Sequence, residues 1–328
     1  MDKSRFCVGV DVGKDELVVA IADKKTRFFG TTTSEVRRMY RWLNKCSGGG
    51  SIHLGMEATG VYSTKVALKL VEYNQTTVSV INPAQIAAHG RVLLKRTKTD
   101  SVDAQVILDF VIKHCPLPWQ PPSEAHRRLS SLVTQADAIK AEIGQWRSRQ
   151  HAHKHTPELP REVTSSAAKI MKTLQQELVK IEAAIEQLCQ QDMQLAEDIA
   201  IATSIVGIGN CSAAQILAYG GDALTQRTRR QLDAHAGLAP AQRQSGTSVR
   251  GKPHLAKQGN ARLRRALYMP TLVAVHHNPV LMRYYRRLID KGKLKKVALA
   301  ACMRKMLNII RAMLIKRERF NPQYQPLT

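Results

Sequence analysis

Along the first third of the chain, apolar residues come in short runs broken by turn residues; after that the period changes. Phe6–Val10 and Leu17–Ala22 read as two strands joined by Gly13-Lys14-Asp15-Glu16, a hairpin connection. A helix over Ser34–Lys45 runs into the breaker Ser47-Gly48-Gly49-Gly50-Ser51. Ile52–Met56 reads as a short buried strand, Ser63–Tyr73 as a helix, and Thr77–Ile81 as a strand stopped by Asn82-Pro83. Thr99–Lys113 is helical, with Val102, Val106, Ile107, Phe110 and Val111 on one face. Strands first, then strand and helix in alternation, predict an α/β domain with a mixed sheet over residues 1–122. It ends in the stiff segment Pro116-Leu117-Pro118-Trp119-Gln120-Pro121-Pro122.

From residue 123 to about 200 the spacing becomes three and four. Leu129, Leu132, Val133, Ala136, Ile139, Ala141 and Ile143 make one stripe, and Ile170, Leu174, Leu178, Ile181, Ile185 and Leu188 make another. His151 to Pro160 separates them, so an antiparallel helical pair or coiled coil is expected, its stripe a core or dimer seam. Residues 201–328 open with Val206-Gly207-Ile208-Gly209 and continue through a basic loop. A helix over Asn260–Val275, kinked at Pro270, and an amphipathic helix over Leu294–Lys316 follow. The expected class is therefore α/β plus α.

Charge sharpens this picture. The 328 residues carry 50 Lys and Arg against 26 Asp and Glu, a net of +24. From Gln226 to Thr328 there are 23 bases and only three acids, Asp233, Asp290 and Glu318, so about +20 lies in the last third. Basic charge confined to one region is the footprint of a nucleic-acid surface, since neutralising phosphates releases counterions. Arg262, Arg264 and Arg265, then Tyr284, Tyr285, Arg286 and Arg287, suit a backbone with an unstacked base. The six cysteines are scattered without a CxxC pair, which points to a reducing compartment and away from a structural metal. No run reaches membrane-spanning length and the N-terminus lacks a signal-peptide core, so a cytoplasmic, nucleoid-associated protein is expected.

Four acids carry the candidate chemistry. Asp11 is expected just past the first strand and Glu57 just past the third, while Asp100 and Asp103 share one face at a helix start. Acids at neighbouring strand ends and on a nearby helix are what a Mg²⁺ site for phosphodiester chemistry requires. The competing reading makes Asp100 and Asp103 helix caps and Asp11 a turn residue.

Two further motifs lie in the basic region. Gly207 and Gly209, with small residues after them, resemble a helix-hairpin-helix element whose backbone approaches a phosphate; the alternative is a glycine turn between packed helices. The loop Ala239-Pro240-Ala241-Gln242-Arg243-Gln244-Ser245-Gly246-Thr247-Ser248-Val249-Arg250-Gly251-Lys252 could simply bind phosphate. Alternatively Ser245, Thr247 or Ser248 is a nucleophile forming a phosphoserine-type intermediate, and spacing does not choose among them. His235 and His254 lie nearby and read as surface contacts.

These elements, in this order, resemble the DEDD-type transposases of bacterial insertion sequences, the bridge-RNA-guided recombinases, with Piv-type DNA invertases as relatives. Gly9-Val10-Asp11-Val12-Gly13-Lys14, Glu57-Ala58-Thr59-Gly60, Ile81-Asn82-Pro83, Lys98-Thr99-Asp100-Ser101-Val102-Asp103-Ala104 and Gly207-Ile208-Gly209 carry it. It continues through Leu232, Ala236-Gly237-Leu238-Ala239-Pro240, Ser245-Gly246-Thr247-Ser248-Val249-Arg250-Gly251 and Leu263–Pro270. The resemblance implies a RuvC-like (ribonuclease H-like) domain, a helical coiled-coil insertion, and a mainly helical C-terminal transposase domain. It implies that Asp11, Glu57, Asp100 and Asp103 bind Mg²⁺, with two ions, and that Ser245 is the nucleophile. It further implies donor and target DNA, a guide (bridge) noncoding RNA, and a dimer to tetramer whose composite site joins one subunit's acids to another's serine. Gly207, Gly209, Arg243, Arg250, Lys252, Lys257, Arg262, Arg264 and Arg265 are the expected nucleic-acid contacts. The rival expectations are a RuvC-like structure-specific nuclease using water, and a non-catalytic nucleic-acid-binding protein.

Overall fold

A computed structural model describes residues 6–94, 99–242, 244–245, 249–250, 254–256 and 258–323, with 244–245 and 249–250 described by backbone alone. The chain divides into two compact units, residues 1–121 and 122–328.

In the first unit β1 (Phe6–Val12), β2 (Glu16–Ile21) and β3 (Arg27–Gly30) form an antiparallel meander. After α1 (Thr33–Cys46) comes β4 (Ile52–Glu57), which pairs parallel to β1. After α2 (Val61–Val71) comes β5 (Thr76–Ile81), parallel to β4, then α3 (Pro83–Val92) and α4 (Asp100–His114). The result is a five-stranded mixed sheet of order β3-β2-β1-β4-β5. Alternation along β1 sends Val8, Val10 and Val12 to the face that buries Met39 and Leu43 of α1 and Val66 and Leu70 of α2. The opposite face is covered by α4, where Val18 and Ala20 meet Ala104 and Leu108. Burial on both faces is why β2 reads as an unbroken apolar run rather than an alternating one.

β3 and α3 were absent from the sequence expectation. β3 is a four-residue edge strand with two exposed positions, too short to show alternation. α3 follows the very Asn82-Pro83 taken as a stop: Asn82 accepts from the Ala84 N–H as N-cap and Pro83 occupies the first helical turn, where it costs nothing. Asp11 lies inside β1 rather than past it, because pairing with β2 continues through Asp11↔Val18 and Val12↔Leu17. Glu57 likewise is the last residue of a strand, the fourth.

In the second unit α5 (Glu124–His153) and α6 (Arg161–Gln191) pack along each other through Ile139, Ile143, Met171, Leu174 and Leu178. α7 (Met193–Thr203) and α8 (Asn210–Gly220) flank the glycine turn, followed by the short α9 (Ala223–Gln226) and α10 (Arg229–His235). A β-arm follows, formed by β6 (Pro240–Ala241) paired with β9 (His254–Leu255), and inside it β7 (Gln244–Ser245) paired with β8 (Val249–Arg250). Then come α11 (Ala261–His277), α12 (Pro279–Asp290) and α13 (Lys295–Lys316). One core joins Leu129, Val133 and Leu188 at the base of the α5/α6 pair to α7, α8, α10, α11 and α13. α11 runs on through Pro270, which is fully inside it. The expected residue-200 boundary falls within α7, whose Ile201 and Ala202 belong to this core. Among the described residues no helix is long and apolar enough to cross a membrane.

Candidate active site

The acids of the first unit are placed by glycines. A Cβ on Gly9 would lie 2.2 Å from the Ala104 carbonyl oxygen and 2.4 Å from the Leu108 nitrogen. A Cβ on Gly55 would lie 2.2 Å from a methyl of Val111. Only residues without side chains let α4 lie directly on β1 and β4 here. Two residues further along each strand, on the same face, are Asp11 and Glu57; one turn back along α4 from Ala104 is Asp100, with Asp103 beside it. Val10↔Met56 is the last registered pair of the two strands, so Asp11 and Glu57 follow it side by side. The start of α4 is held by Thr99, whose hydroxyl accepts from the Val102 N–H at 3.3 Å, and by a 3.0 Å bond from Thr26 to Ser101. Because Thr99 makes the capping bond, Asp100 and Asp103 are not required for it.

The electrostatics follow from this packing. The Asp11 carboxyl is pushed up to about 6, first by burial, then by the charges of Asp100, Asp103 and Glu57, against a hydrogen bond from the Val12 backbone. All four acids therefore act within one field. Among the described residues, however, no three His, Cys, Asp or Glu side chains converge closely enough to hold an ion as they stand. Lys95, Arg96 and Lys98, which crowd this helix start in the sequence, lie outside the described residues.

In the second unit Ser245 pairs with Val249 and Gln244 with Arg250 across the inner ladder of the β-arm. Arg243, Thr247, Ser248, Lys252 and Lys257 lie outside the described residues. His235, expected as a surface contact, is half-buried: burial and the Arg227 charge push its imidazole down to about 4, while its bond to the Tyr219 backbone opposes them. Asn260 ties the arm's return to α8. Its side-chain oxygen caps α11 by accepting from the Arg262 and Leu263 N–H groups. Its amide donates to the Tyr219 carbonyl at 2.9 Å, and its backbone N–H donates to the His235 carbonyl at 2.6 Å. An Asn at a helix start is the signal that would have shown this role.

Several of the expected nucleic-acid contacts also make contacts within the protein. A Cβ on Gly207, whose φ is +108°, would lie 2.7 Å from the Pro270 carbonyl and 3.0 Å from Ala274, so this glycine serves the packing of the turn on α11. Gly209 is open and precedes α8, whose N-terminus has no side-chain cap. Arg262 donates to Thr134 at 3.2 Å and lies over the Tyr219 ring, and Arg264 donates to the Ala236 carbonyl at 3.0 Å. Arg265 is exposed. Tyr284 and Tyr285, expected to face an unstacked base, pack on Val275, Leu299 and Cys302, with Arg287 and Lys305 over the Tyr284 ring.

Acids gathered at strand ends under a helix, with a strongly basic helical unit in the same chain, are what an enzyme acting on nucleic-acid phosphodiesters requires. Comparison with known proteins says which. Residues 8–155 match the DEDD transposase family and residues 199–286 the transposase IS116/IS110/IS902 family. The chain is similar to the pilin gene-inverting proteins of Moraxella bovis and Moraxella lacunata, 29% identical to each over 97% of this chain and 98% of theirs. It is 31% identical to an uncharacterized 42 kDa protein of insertion element IS900 from Mycobacterium paratuberculosis, over 57% of this chain and 46% of that one. The chain belongs to the DEDD transposases of the IS116/IS110/IS902 family and is a DNA transposase/recombinase.

Proposed function

We propose that this enzyme is an RNA-guided, Mg²⁺-dependent recombinase of an insertion sequence that works through a phosphoserine intermediate. One observation carries the reading: a half-buried Asp11 whose carboxyl is raised by burial and by three neighbouring acids. A crowd of carboxylates costs free energy until a divalent cation joins it, and an all-oxygen donor set suits Mg²⁺ better than a softer ion. Asp11, Glu57, Asp100 and Asp103 would hold the ions, two by our reading. When bound, such ions polarise the phosphate and stabilise the departing oxygen. The sheet order and the meander followed by parallel strands support reading residues 1–122 as a RuvC-like domain. We take 123–200 as a helical coiled-coil insertion and 201–328 as the transposase domain.

Ser245 gives up its proton and its Oγ forms a bond to a DNA phosphorus, while the sugar oxygen on the other side leaves with a proton. The phosphoserine keeps the bond energy, so a hydroxyl of another strand can displace the serine and rejoin DNA without ATP. Arg243 and Arg250 flank the serine, and with Lys252, Lys257, Arg265 and the α8 N-terminus beyond Gly209 they bind the backbone without reading sequence. Sequence selection belongs to a guide RNA pairing with donor and target DNA. A second copy completes the site, acids from one subunit meeting the serine of another in a dimer or tetramer.

The test uses full-length protein, Mg²⁺, the element's flanking noncoding RNA and end-labelled junction DNA, resolved by denaturing electrophoresis. Label migrating with wild-type protein, and lost in both Ser245→Ala and Asp11→Ala, is expected. Strand cleavage that forms no adduct and persists in Ser245→Ala would instead make the enzyme a nuclease using water.

A further inference from the structure

The α5/α6 pair is a long arm with an uneven charge. α5 has 30 residues and α6 has 31, each about 45 Å long at ~1.5 Å per residue. Only the base of the pair, through Leu129, Val133 and Leu188, joins the core of the unit. α5 stays against α8 through Asp137 and as far as Lys140, whose ammonium lies 3.9 Å from the Cys211 sulfur; about 13 residues beyond it bring the chain to His153, so the far end stands roughly 20 Å out. Residues 147–172 at that end carry Arg147, Arg149, Lys154, Arg161, Lys169 and Lys172 against Glu158 and Glu162, plus His151, His153 and His155. The rest of the pair, 124–146 and 173–191, holds four bases against six acids.

The two halves also differ in how their charges are used. Among the described residues the ion pairs of this arm, Lys140 with Glu182 and Lys180 with Glu177, both lie in the proximal half. The distal cations are exposed. Arg149 rests over the Trp146 ring at 4.7 Å, which fixes its stem with the guanidinium outward-accessible, and His151 and His155 stand 5.0 Å apart beside it. Seams between helices do not require this end to be basic; a polyanion does.

We propose that the distal end of the arm, the end of α5 and the start of α6, is a second nucleic-acid site that binds phosphodiester backbone. The chemistry is shared by duplex DNA and structured RNA: exposed cations and imidazoles on a helical pair, without base readout. The site extends the grip of the enzyme along its substrate. It stands apart from the Ser245 chemistry, because it needs only that the protein bind nucleic acid.

The test is Arg147→Gln/Arg149→Gln/Lys154→Gln/Arg161→Gln in the full chain, with thermal melting to show the fold is kept. Affinity for a long DNA duplex and for a structured RNA is measured over a range of salt. Loss of four phosphate contacts should flatten the slope of log K against log salt by about 3 and weaken binding roughly tenfold or more at ~0.1 M salt. The polymer that shows the change is the one the arm holds, and the adduct assay is not needed to read it. Unchanged slopes and affinities for both polymers would overturn the proposal. A shift in oligomeric state with nucleic-acid binding intact would overturn it too, making the tip a contact between copies.

Discussion

The Tyr219 hydroxyl donates to the Asp137 carboxylate at 2.6 Å, while Gln215 donates to the other carboxylate oxygen at 2.8 Å. This joins the end of α8 to α5, and the carbonyl of the same Tyr219 receives the Asn260 amide. Burial first, then Asp137, push the Tyr219 phenol up to about 12, so it stays a donor at any working pH. Tyr219→Phe should lose one charge-assisted bond, about 1.5–3 kcal/mol in denaturant titration. Asn260→Asp keeps the cap but replaces the donor to Tyr219 with a carboxylate oxygen facing the carbonyl. It should lower the melting temperature, and slow adduct formation as well if the serine arm depends on that tie.

Asp11→Asn should stabilise the metal-free protein at neutral pH while abolishing strand chemistry. The wild-type carboxyl holds its proton to about pH 6, whereas the unfolded chain releases it near 4. Between those values the folded state binds more protons, so stability falls as pH rises and stays low above the window. Removing the charge should recover about 1 kcal/mol once solvent screening is allowed for. Melting curves without metal from about pH 4 to 8 should fall for wild type and run flatter for the variant. A parallel decline in both would sink the account.

Mg²⁺ should raise the melting temperature of the wild type at neutral pH and leave Asp11→Asn almost unmoved. At a hundredfold excess over Kd the gain is ~2.7 kcal/mol, since a ligand of the folded state stabilises by mass action. Equal gains in both proteins would place the bound ion elsewhere.

His235 works in the opposite sense. Its folded-state pKa lies near 4, below the ordinary histidine value, so its contribution is full above about 6.5 and is lost as pH falls toward 4. His235→Gln, which can still donate to the Tyr219 carbonyl, should flatten the acid limb of a stability profile. An unaltered limb would assign that acid sensitivity to another group.

The two glycines of Gly207-Ile208-Gly209 should separate. Gly207→Ala meets both a left-handed φ and the Pro270 carbonyl, so several kcal/mol of stability should go. Gly209→Ala has open space and should cost little stability, and weaken DNA binding instead. DNA affinity untouched in Gly209→Ala would remove the α8 N-terminus from the interface.

Much of this was legible beforehand because period and breakers are local. β1, β4, β5, α4, α5, α6 and α13 follow from apolar spacing and their flanking residues. What hid was set by tertiary context. β3 has too few buried positions to show a pattern, and α12, Pro279–Asp290, buries Leu281 alone among its residues, so its Tyr284 and Arg287 read as a free basic-aromatic row. The four acids could be picked out as a set, but nothing local says that α4 turns its first residues toward β1. The lone glycine within the Val8-Gly9-Val10 strand was a signal of close backbone approach that passed unused. Arg262 and Arg264 show the other limit: composition counts a charge, and only the fold shows that it is already engaged.

Gly9 also means that the spacing of the acids is a packing distance rather than a property of the acids themselves. Swapping its hydrogen for a methyl would lift the first turns of α4 off the sheet and take Asp100 and Asp103 away from Asp11 together, with every carboxylate still present. A copy of this gene carrying Gly9→Ala would look intact to anyone checking the four acids alone, and on the proposed mechanism a mobile element would fall silent by that change with every acid still in place.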